Sequence, residues 1–330
     1  MDVFIIDNIV SKVLREKGSI KEMLNKMSKF YSKGYMKISE KRVEQRIEKI
    51  REYLEQKELI EQMPVIEQRS ENWYSIRNNL ITASDFALAV GKGKFGTSKD
   101  FYRSKCGYDV KEFDSNCPPL KWGIRYEEVA NMFYKKIMGV NVTEFGLIKH
   151  PELSFIGASP DGISDMGIML EIKCPYRRKK NEEIPEQYYM QIQGQLEVCD
   201  LEECDYLECY IVEFNSRNDM NKDENCMYKG VVYEIESSKY VYGELDNLEF
   251  DSTQYKNVYY YGIKDYFLRR VYRDKVLFGD LINQLSDVWK NVKEYRENRE
   301  LYDKNVGGVK KKTKVPKLAP RLFRDDIIDD

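Results

Sequence analysis

Three ionisable side chains near the middle of the chain have the types and spacing of a phosphodiester-cleaving site. Asp161 lies in the turn Ser159-Pro160-Asp161-Gly162, and Glu171 and Lys173 stand two residues apart in an otherwise apolar segment. Because side chains alternate along a strand, Glu171 and Lys173 are expected on one face, close to Asp161. Carboxylate oxygens suit Mg²⁺ or Mn²⁺, and a lysine can position a water. The pattern predicts metal-assisted phosphodiester hydrolysis.

The apolar surroundings favour this functional interpretation over a half-exposed strand face. Burying Glu171 and Lys173 without partners would cost on the order of several kcal/mol. A bound metal ion is one way to offset that cost.

The histidine and cysteine content excludes several other chemistries. His150 is the single histidine of 330 residues, so zinc hydrolases and nucleases that need several imidazoles are excluded. It has no nucleophile elbow nearby, which argues against a Ser-His-Asp triad. The seven cysteines contain no C-x-x-C pair, which predicts free thiols rather than a zinc knuckle or a secreted disulfide framework.

Composition predicts a soluble globular protein that is not secreted and has no membrane partner. The formal net charge is −2 and hydrophobic residues make up 42%, without an apolar run of the roughly 18–20 residues that span a bilayer. Charged residues interrupt Met1–Val13, unlike a secretory signal. We expect a cytoplasmic or nuclear location.

Periodicity divides the chain into four regions. We predict a helical N-terminal extension (1–66), a core (67–240), a C-terminal helical region (241–306) and a basic, then acidic, disordered tail (307–330). In the C-terminal region, two helices are expected between Tyr259 and Tyr302, meeting near Asp274. The core alternates helices with strands, and the predicted strands are Val142–Ile148, Phe155–Ala158, Ile168–Lys173, Tyr206–Phe214 and Tyr228–Glu236.

A glycine-rich loop at Gly91–Gly96 invites comparison with a phosphate-binding loop. It lacks the G-x-x-x-x-G-K-[ST] order, and no strand clearly precedes it. We therefore predict an ordinary flexible turn.

Several sequence blocks, in order, resemble the PD-(D/E)xK nucleases, and within them the phage lambda exonuclease and YqaJ-type viral recombinase family. The resemblance covers about residues 73–214 and implies an α/β fold with a restriction-endonuclease-like core, a mixed central β-sheet flanked by helices. The blocks are Trp73-x-x-x-Arg77 with Ile81-Thr82-Ala83-Ser84, Trp122-Gly123-x-x-x-Glu127, Gly139-Val140-Asn141-Val142-Thr143-Glu144, Ser159-Pro160-Asp161-Gly162 with Glu171-Ile172-Lys173-Cys174-Pro175, and Tyr188-x-x-Gln191-Ile192-Gln193.

The resemblance implies a role for each residue of the site. Asp161 and Glu171 would ligate Mg²⁺ or Mn²⁺ with the backbone carbonyl of Ile172, and Glu127 would complete the acidic cluster. Lys173 would act on the attacking water, which Gln191 would help to orient.

The resemblance also implies contacts with DNA. Arg77, Ser84 and Ser159 correspond to residues that hold the 5′-phosphate of a duplex end, and a guanidinium with two hydroxyls offers suitable donors. The basic run Arg177-Arg178-Lys179-Lys180 follows the E-x-K strand and is a candidate contact for the DNA backbone, with a solvated charge run as the alternative.

The function implied is a metal-dependent exonuclease acting on duplex DNA ends, 5′ to 3′, in viral or phage-derived recombination, replication or repair. A single-strand annealing protein is a candidate partner, and a homo-oligomer is compatible with the family but not assumed. The alternatives are a catalytically inactive DNA-binding or assembly factor, a structure-specific endonuclease, and an iron–sulphur nuclease. The spacing of Cys199, Cys204 and Cys209 argues against the last.

Overall fold

A seven-stranded mixed sheet organises the part of the chain that the computed structural model describes. That part comprises residues 2–16, 19–28, 39–64, 66, 68, 70–108, 117–177, 180, 182–236, 239–246, 255 and 257–307. Its strands are β1 (Ile81–Thr82), β2 (Val142–Thr143), β3 (Ile148–Lys149), β4 (Ile156–Ala158), β5 (Gly162–Ser164), β6 (Met169–Lys173), β7 (Glu203–Phe214), β8 (Tyr228–Glu236), β9 (Lys239–Tyr242) and β10 (Asn257–Tyr272).

Helices cover both faces of this sheet. A 3₁₀ turn spans Ala83–Asp85, and the α-helices are α1 (Asp2–Glu16), α2 (Ile20–Ser28), α3 (Glu40–Glu61), α4 (Glu71–Asn78), α5 (Phe86–Ala89), α6 (Ser98–Cys106), α7 (Pro118–Met138), α8 (Glu186–Cys199), α9 (Arg217–Lys222), α10 (Lys275–Glu297) and α11 (Arg299–Asn305). The predicted α/β class with a mixed sheet is confirmed.

The large sheet has the order β2-β5-β6-β7-β10-β8-β9, and β1, β4 and β3 form a small second sheet. Strands β6 and β7 run parallel, while their other neighbours pair antiparallel. Parallel neighbours need a crossover connection, and α8 supplies it between β6 and β7. The predicted apolar stripe of α8 is buried, and it consists of Tyr188, Ile192, Leu196 and Cys199.

Strand β6 separates two hydrophobic cores. Leu170 and Ile172 belong to the core shared with α1, α3 and α7, whereas Met169 belongs to the core shared with α8 and α10. All five residues of β6 are buried, as expected for a strand covered on both sides. The N-terminal helices α1 and α3 thus pack on the same core as the sheet.

Two predictions about the elements are wrong. The segment from Tyr259 is a strand rather than a helix, because β10 pairs with β7 on one side and with β8 on the other, which hides any clear alternation. The single strand predicted at Val142–Ile148 is two strands, since β2 pairs with β5 and β3 pairs with β4.

Predictions about the cysteines, the C-terminal tail and membrane spans can be compared with the described residues. All seven cysteines are free thiols, as their spacing predicts. Most of the predicted tail, residues 308–330, lies outside the described residues. None of the helices among the described residues is both long enough and apolar enough to cross a bilayer.

Candidate active site

Strand β6 presents two charged side chains to helix α8. Glu171 and Lys173 lie on the same face as Met169, and their exposed fractions are 0% and 6%. Nζ of Lys173 lies 2.8 Å from Oε1 of Glu171. Their two-residue spacing therefore places both side chains on one face of the strand, as strand geometry predicts, and both charges are buried there.

Asp161 joins this pair from the start of β5. Gly162 is paired with Leu170, so the next position of the same antiparallel register sets Asp161 opposite Glu171. Oδ2 of Asp161 accepts a hydrogen bond from the backbone N–H of Ile172 at 2.6 Å. This bond fixes the Asp161 carboxylate beside the strand that carries Glu171.

Gln195 of α8 is a site residue that the sequence reasoning missed. Its Nε2 donates to Oε2 of Glu171 at 2.8 Å, and the side chain is 1% exposed. Gln195 lies one helical turn after Gln191, so the i, i+4 spacing was the available signal. The bond fixes Oε2 of Glu171, while Oε1 faces the Lys173 ammonium.

That other oxygen is ion-paired with Lys173. Oε1 of Glu171 lies 2.8 Å from Nζ of Lys173 and accepts no hydrogen bond from the other described residues. A carboxylate oxygen has two lone pairs, so one ammonium leaves acceptor capacity. A remaining lone pair beside a second carboxylate suits a hard cation.

Gln191 and Ser84 line one cavity at the N-terminal part of α8. Tyr188 and the glycine-rich loop contribute to the same cavity, including Gly93 and Gly96. The Lys173 ammonium lies 4.9 Å from the centroid of the Tyr188 ring, so the cavity adjoins the carboxylate site. The loop predicted as an ordinary turn therefore lies beside candidate site residues.

The cavity forms where the backbone of helix α8 closely approaches the 3₁₀ turn that carries Ser84. Helix α8 meets the 3₁₀ turn at Gly194, where an added Cβ would lie 2.4 Å from the Phe86 ring and 3.0 Å from the Ala83 side chain. Only glycine fits there, and the contact brings Ser84 next to α8.

The three residues predicted to hold a 5′-phosphate are linked around Trp73, which is fully buried in α4. Trp73 Nε1 donates to Ser159 Oγ at 3.4 Å, and the Arg77 guanidinium lies 4.4 Å from the indole centroid. Arg77 Nη2 donates to Ser84 Oγ at 3.1 Å. The structure therefore groups Arg77, Ser84 and Ser159, which come from three separate elements.

Glu127, predicted to complete the acidic cluster, is on α7. The carbonyl of the preceding Tyr126 accepts a hydrogen bond from Cys174, just beyond β6, so this part of α7 lies against the end of that strand. No group of three His, Cys, Asp or Glu side chains among the described residues has the arrangement of a metal site, and a role for Glu127 stays a prediction.

The basic run after β6 is only partly described. Arg177 is exposed and lies over the Tyr176 ring, with 4.8 Å to its centroid. Lys180 is also exposed, and its Nζ is 2.8 Å from Oδ1 of Asp265. Arg178 and Lys179 lie outside the described residues.

The donor set fits a hard divalent cation. Two carboxylates, Asp161 and Glu171, and the carbonyl of Ile172 offer oxygen ligands at the end of β6, and Oε1 of Glu171 has free acceptor capacity. Mg²⁺ is commonly bound by one or two carboxylates and completes its shell with water and substrate phosphate. These residues could therefore hold such an ion without a third carboxylate.

Sequence comparison supports the family resemblance. Residues 72–202 match the family model described as the YqaJ-like viral recombinase domain. An uncharacterized protein of Acanthamoeba polyphaga mimivirus is 31% identical over 192 residues, which is 53% of this chain and 35% of that protein. The matched region is thus about a third of the viral relative.

Two solved exonuclease structures show weaker likeness. The alkaline exonuclease of Laribacter hongkongensis is 20% identical, with a TM-score of 0.48, and the match covers 70% of this chain and 96% of that one. A phage-related exonuclease from Haemophilus somnus is 14% identical, with a TM-score of 0.40 and coverage of 68% and 96%. By the family model and the motifs it spans, residues 72–202 are similar to the YqaJ-like viral recombinase domain.

Proposed function

We propose that the protein is a metal-dependent DNA exonuclease that hydrolyses phosphodiester bonds from duplex ends, in the 5′ to 3′ direction. The observation that carries the proposal is the state of Glu171. This carboxylate is fully buried and is oriented by Gln195, and its Oε1 lies 2.8 Å from the Lys173 ammonium without a hydrogen bond from the other described residues. A carboxylate oxygen has two lone pairs, so Oε1 can accept a metal ion in addition to the ammonium, with Asp161 as the second carboxylate.

In this mechanism Asp161, Glu171 and the carbonyl of Ile172 would hold Mg²⁺ or Mn²⁺. When bound, the ion supplies Lewis-acid polarisation of the phosphate and lowers the pKa of water. The Ile172 amide and Gln195 keep the two carboxylates in place.

Lys173 supplies the buried positive charge at the site. Its ammonium orients the attacking water and offsets the negative charge that develops on the phosphate oxygens. Gln191, which lines the adjoining cavity, helps to position that water.

The direction of cleavage follows from the phosphate pocket. Arg77, Ser84 and Ser159 would donate to the oxygens of a terminal 5′-phosphate, and packing on Trp73 holds the guanidinium. Gly194 keeps this pocket against α8, next to the cleavage site. Lys180 and the basic run before it would contact the DNA backbone.

The family description supports a role in viral recombination, replication or repair. A single-strand annealing protein is the partner that would act on the resected strand. The place of action would be the cytoplasm or nucleus of a host cell.

The test is digestion of a 5′-phosphorylated linear duplex with Mg²⁺, comparing the wild type with Asp161→Ala and Lys173→Ala. Both variants should lose nearly all cleavage while binding DNA, whereas Lys239→Ala, at an exposed ion pair, should cleave normally. Undiminished cleavage by Asp161→Ala would remove the mechanism.

The same assay separates the alternatives. End-labelled linear, closed circular and single-stranded substrates report polarity and end dependence. Cleavage of closed circles would identify an endonuclease, and DNA binding without any cleavage by the wild type would identify a non-catalytic factor.

A further inference from the structure

Strand β7 brings one more buried carboxylate to the site, Glu208. It is 1% exposed and is the parallel-sheet partner of Lys173, just as Tyr206 is the partner of Glu171. Partnered residues on neighbouring strands point to the same face, with the strands about 4.8 Å apart. Glu208 therefore stands beside Lys173 on the face covered by α8.

Two tyrosines hold the Glu208 carboxylate in place. The Tyr206 hydroxyl donates to Oε1 and the Tyr210 hydroxyl donates to Oε2, from positions two residues before and after Glu208 on the same face. An ionised carboxylate has about four acceptor sites, so two hydroxyls leave capacity for an ammonium.

The same aromatic frame contacts Lys173. The Tyr206 ring lies 6.1 Å from the Tyr188 ring, and the Lys173 ammonium lies over Tyr188 at 4.9 Å from the ring centroid. Glu208 and Lys173 are thus anchored to one rigid group of rings. Opposite charges that share a buried face on adjacent strands stabilise each other, because neither is solvated by water.

We propose that Glu208 is a positioning residue for Lys173. It holds the ammonium from the β7 side, while Glu171 contacts it along β6 at 2.8 Å. Two carboxylates on different strands restrict the rotamers of the lysine more than one can, and keep Nζ directed at the attacking water. This inference rests on the proposed nuclease function and adds a residue outside its motifs.

The first test is the kinetics of Glu208→Gln, which keeps the shape of the side chain and removes its charge. We expect kcat to fall about 10- to 100-fold, with KM for duplex ends within about twofold of wild type. Glu208→Asp restores the charge with a shorter reach and should recover part of kcat. Wild-type kcat in Glu208→Gln, or a change in KM alone, would overturn the proposal.

Glu234 provides a matched control. It is 8% exposed, lies on β8, and accepts from the Tyr259 hydroxyl at 2.7 Å. Glu234→Gln thus removes a similar tyrosine-bonded carboxylate away from Lys173 and should keep wild-type kcat. An equal loss of kcat in both variants would show a general effect of losing such a carboxylate and would overturn the proposal.

A second readout does not depend on cleavage. Glu208→Gln, Lys173→Met and the double variant form a cycle whose denaturation midpoints measure coupling. We expect non-additive shifts, and additive shifts would overturn the pairing of Glu208 with Lys173. Should Glu208→Gln fail to fold, Glu208→Asp takes its place in both tests. Absence of cleavage by the wild type would instead overturn the proposed function.

Discussion

The two faces of strand β7 both bury charged side chains, but they satisfy them differently. On the face toward α1 and α3, an ion cluster joins five side chains from four elements, namely Asp7, Arg46, Glu203, Asp205 and Arg270. On the face toward α8, the strand borders Glu171 and Lys173.

In the ion cluster every carboxylate oxygen accepts a hydrogen bond. Arg46 binds Asp7 and Glu203 with Nε and both terminal nitrogens, at 2.6–3.1 Å. Arg270 binds Asp205, Glu203 and Asp7 at 2.5–3.0 Å. Such full satisfaction is what makes buried charge tolerable, and it is typical of a structural network.

The site on the other face lacks this completeness. Oε1 of Glu171 lies 2.8 Å from the Lys173 ammonium and accepts no hydrogen bond from the other described residues. The difference teaches that a buried charge by itself does not mark function. A buried carboxylate that keeps acceptor capacity beside a second carboxylate is the more informative feature.

The largest effect is expected from Glu171→Gln. The substitution keeps the volume of the side chain and removes the negative charge, so cleavage should fall at least about 10³-fold, in line with the several kcal/mol that a metal ion supplies. The free energy of unfolding should also fall, because the buried Lys173 ammonium loses the carboxylate that lies 2.8 Å from it. Activity assays and denaturant titration check the two expectations. Normal cleavage by the folded variant would make Glu171 a structural charge like those of the ion cluster.

Arg270→Met tests the opposite face. Removing one guanidinium leaves buried carboxylates uncompensated, which should cost about 3–5 kcal/mol of unfolding free energy. Arg269→Met is the matched control, because Arg269 is the adjacent, exposed residue of β10. Below its lowered melting temperature, Arg270→Met should retain cleavage. Loss of cleavage in fully folded protein would contradict a purely structural role for the cluster.

The pH dependence of stability in Glu203→Gln tests how strongly the ion cluster stabilises the fold. Burial alone would raise the pKa of Glu203, but hydrogen bonds and charge from Arg46, with the charge of Arg270, lower it from 4.5 to about 2. The stabilisation from this carboxylate is therefore complete above about pH 4.5 and is lost as pH falls toward 2.

The measurement is the difference in unfolding free energy between the wild type and Glu203→Gln. We expect this difference to shrink by about 3 kcal/mol between pH 5 and pH 2. Burial raises the pKa of Asp205, but both proteins contain that residue, so its contribution largely cancels. A difference that does not change with pH would show that Glu203 does not depend on its arginine partners.

A smaller effect is expected from Arg77→Ala at the phosphate pocket. A hydrogen bond to a charged group contributes about 1.5–3 kcal/mol, so the preference for 5′-phosphorylated over 5′-hydroxyl ends should fall about tenfold or more. Arg103→Ala, on α6 and paired with Asp100, serves as the control. An unchanged ratio of the two cleavage rates would reject the pocket assignment.

Local sequence patterns were enough to predict much of the site. The two-residue spacing of Glu171 and Lys173 places them on one face of any strand. The turn that contains Asp161 places its carboxylate beside that strand. The apolar stripe of α8 likewise follows from helical periodicity. These features depend on residues close in sequence.

Features that depend on strand pairing could not be predicted in this way. The position of Glu208 beside Lys173 follows from the register of β6 with β7, and the ion cluster joins residues as distant as Asp7 and Arg270. Strand β10 was missed because pairing on both sides and its charged residues obscure the period of two. Gln195 had a local signal, but its partner became evident only from the packing of α8 on β6.

The most direct test of the account is calorimetric titration of Mn²⁺ into the folded protein with a duplex oligonucleotide present, comparing the wild type with Glu171→Gln. If Oε1 of Glu171 is a metal ligand, the wild type should take up the ion and the variant should bind it at least about tenfold more weakly. Equal uptake by both proteins, or none by the wild type at millimolar Mn²⁺, would contradict the claim that this buried carboxylate is reserved for a metal.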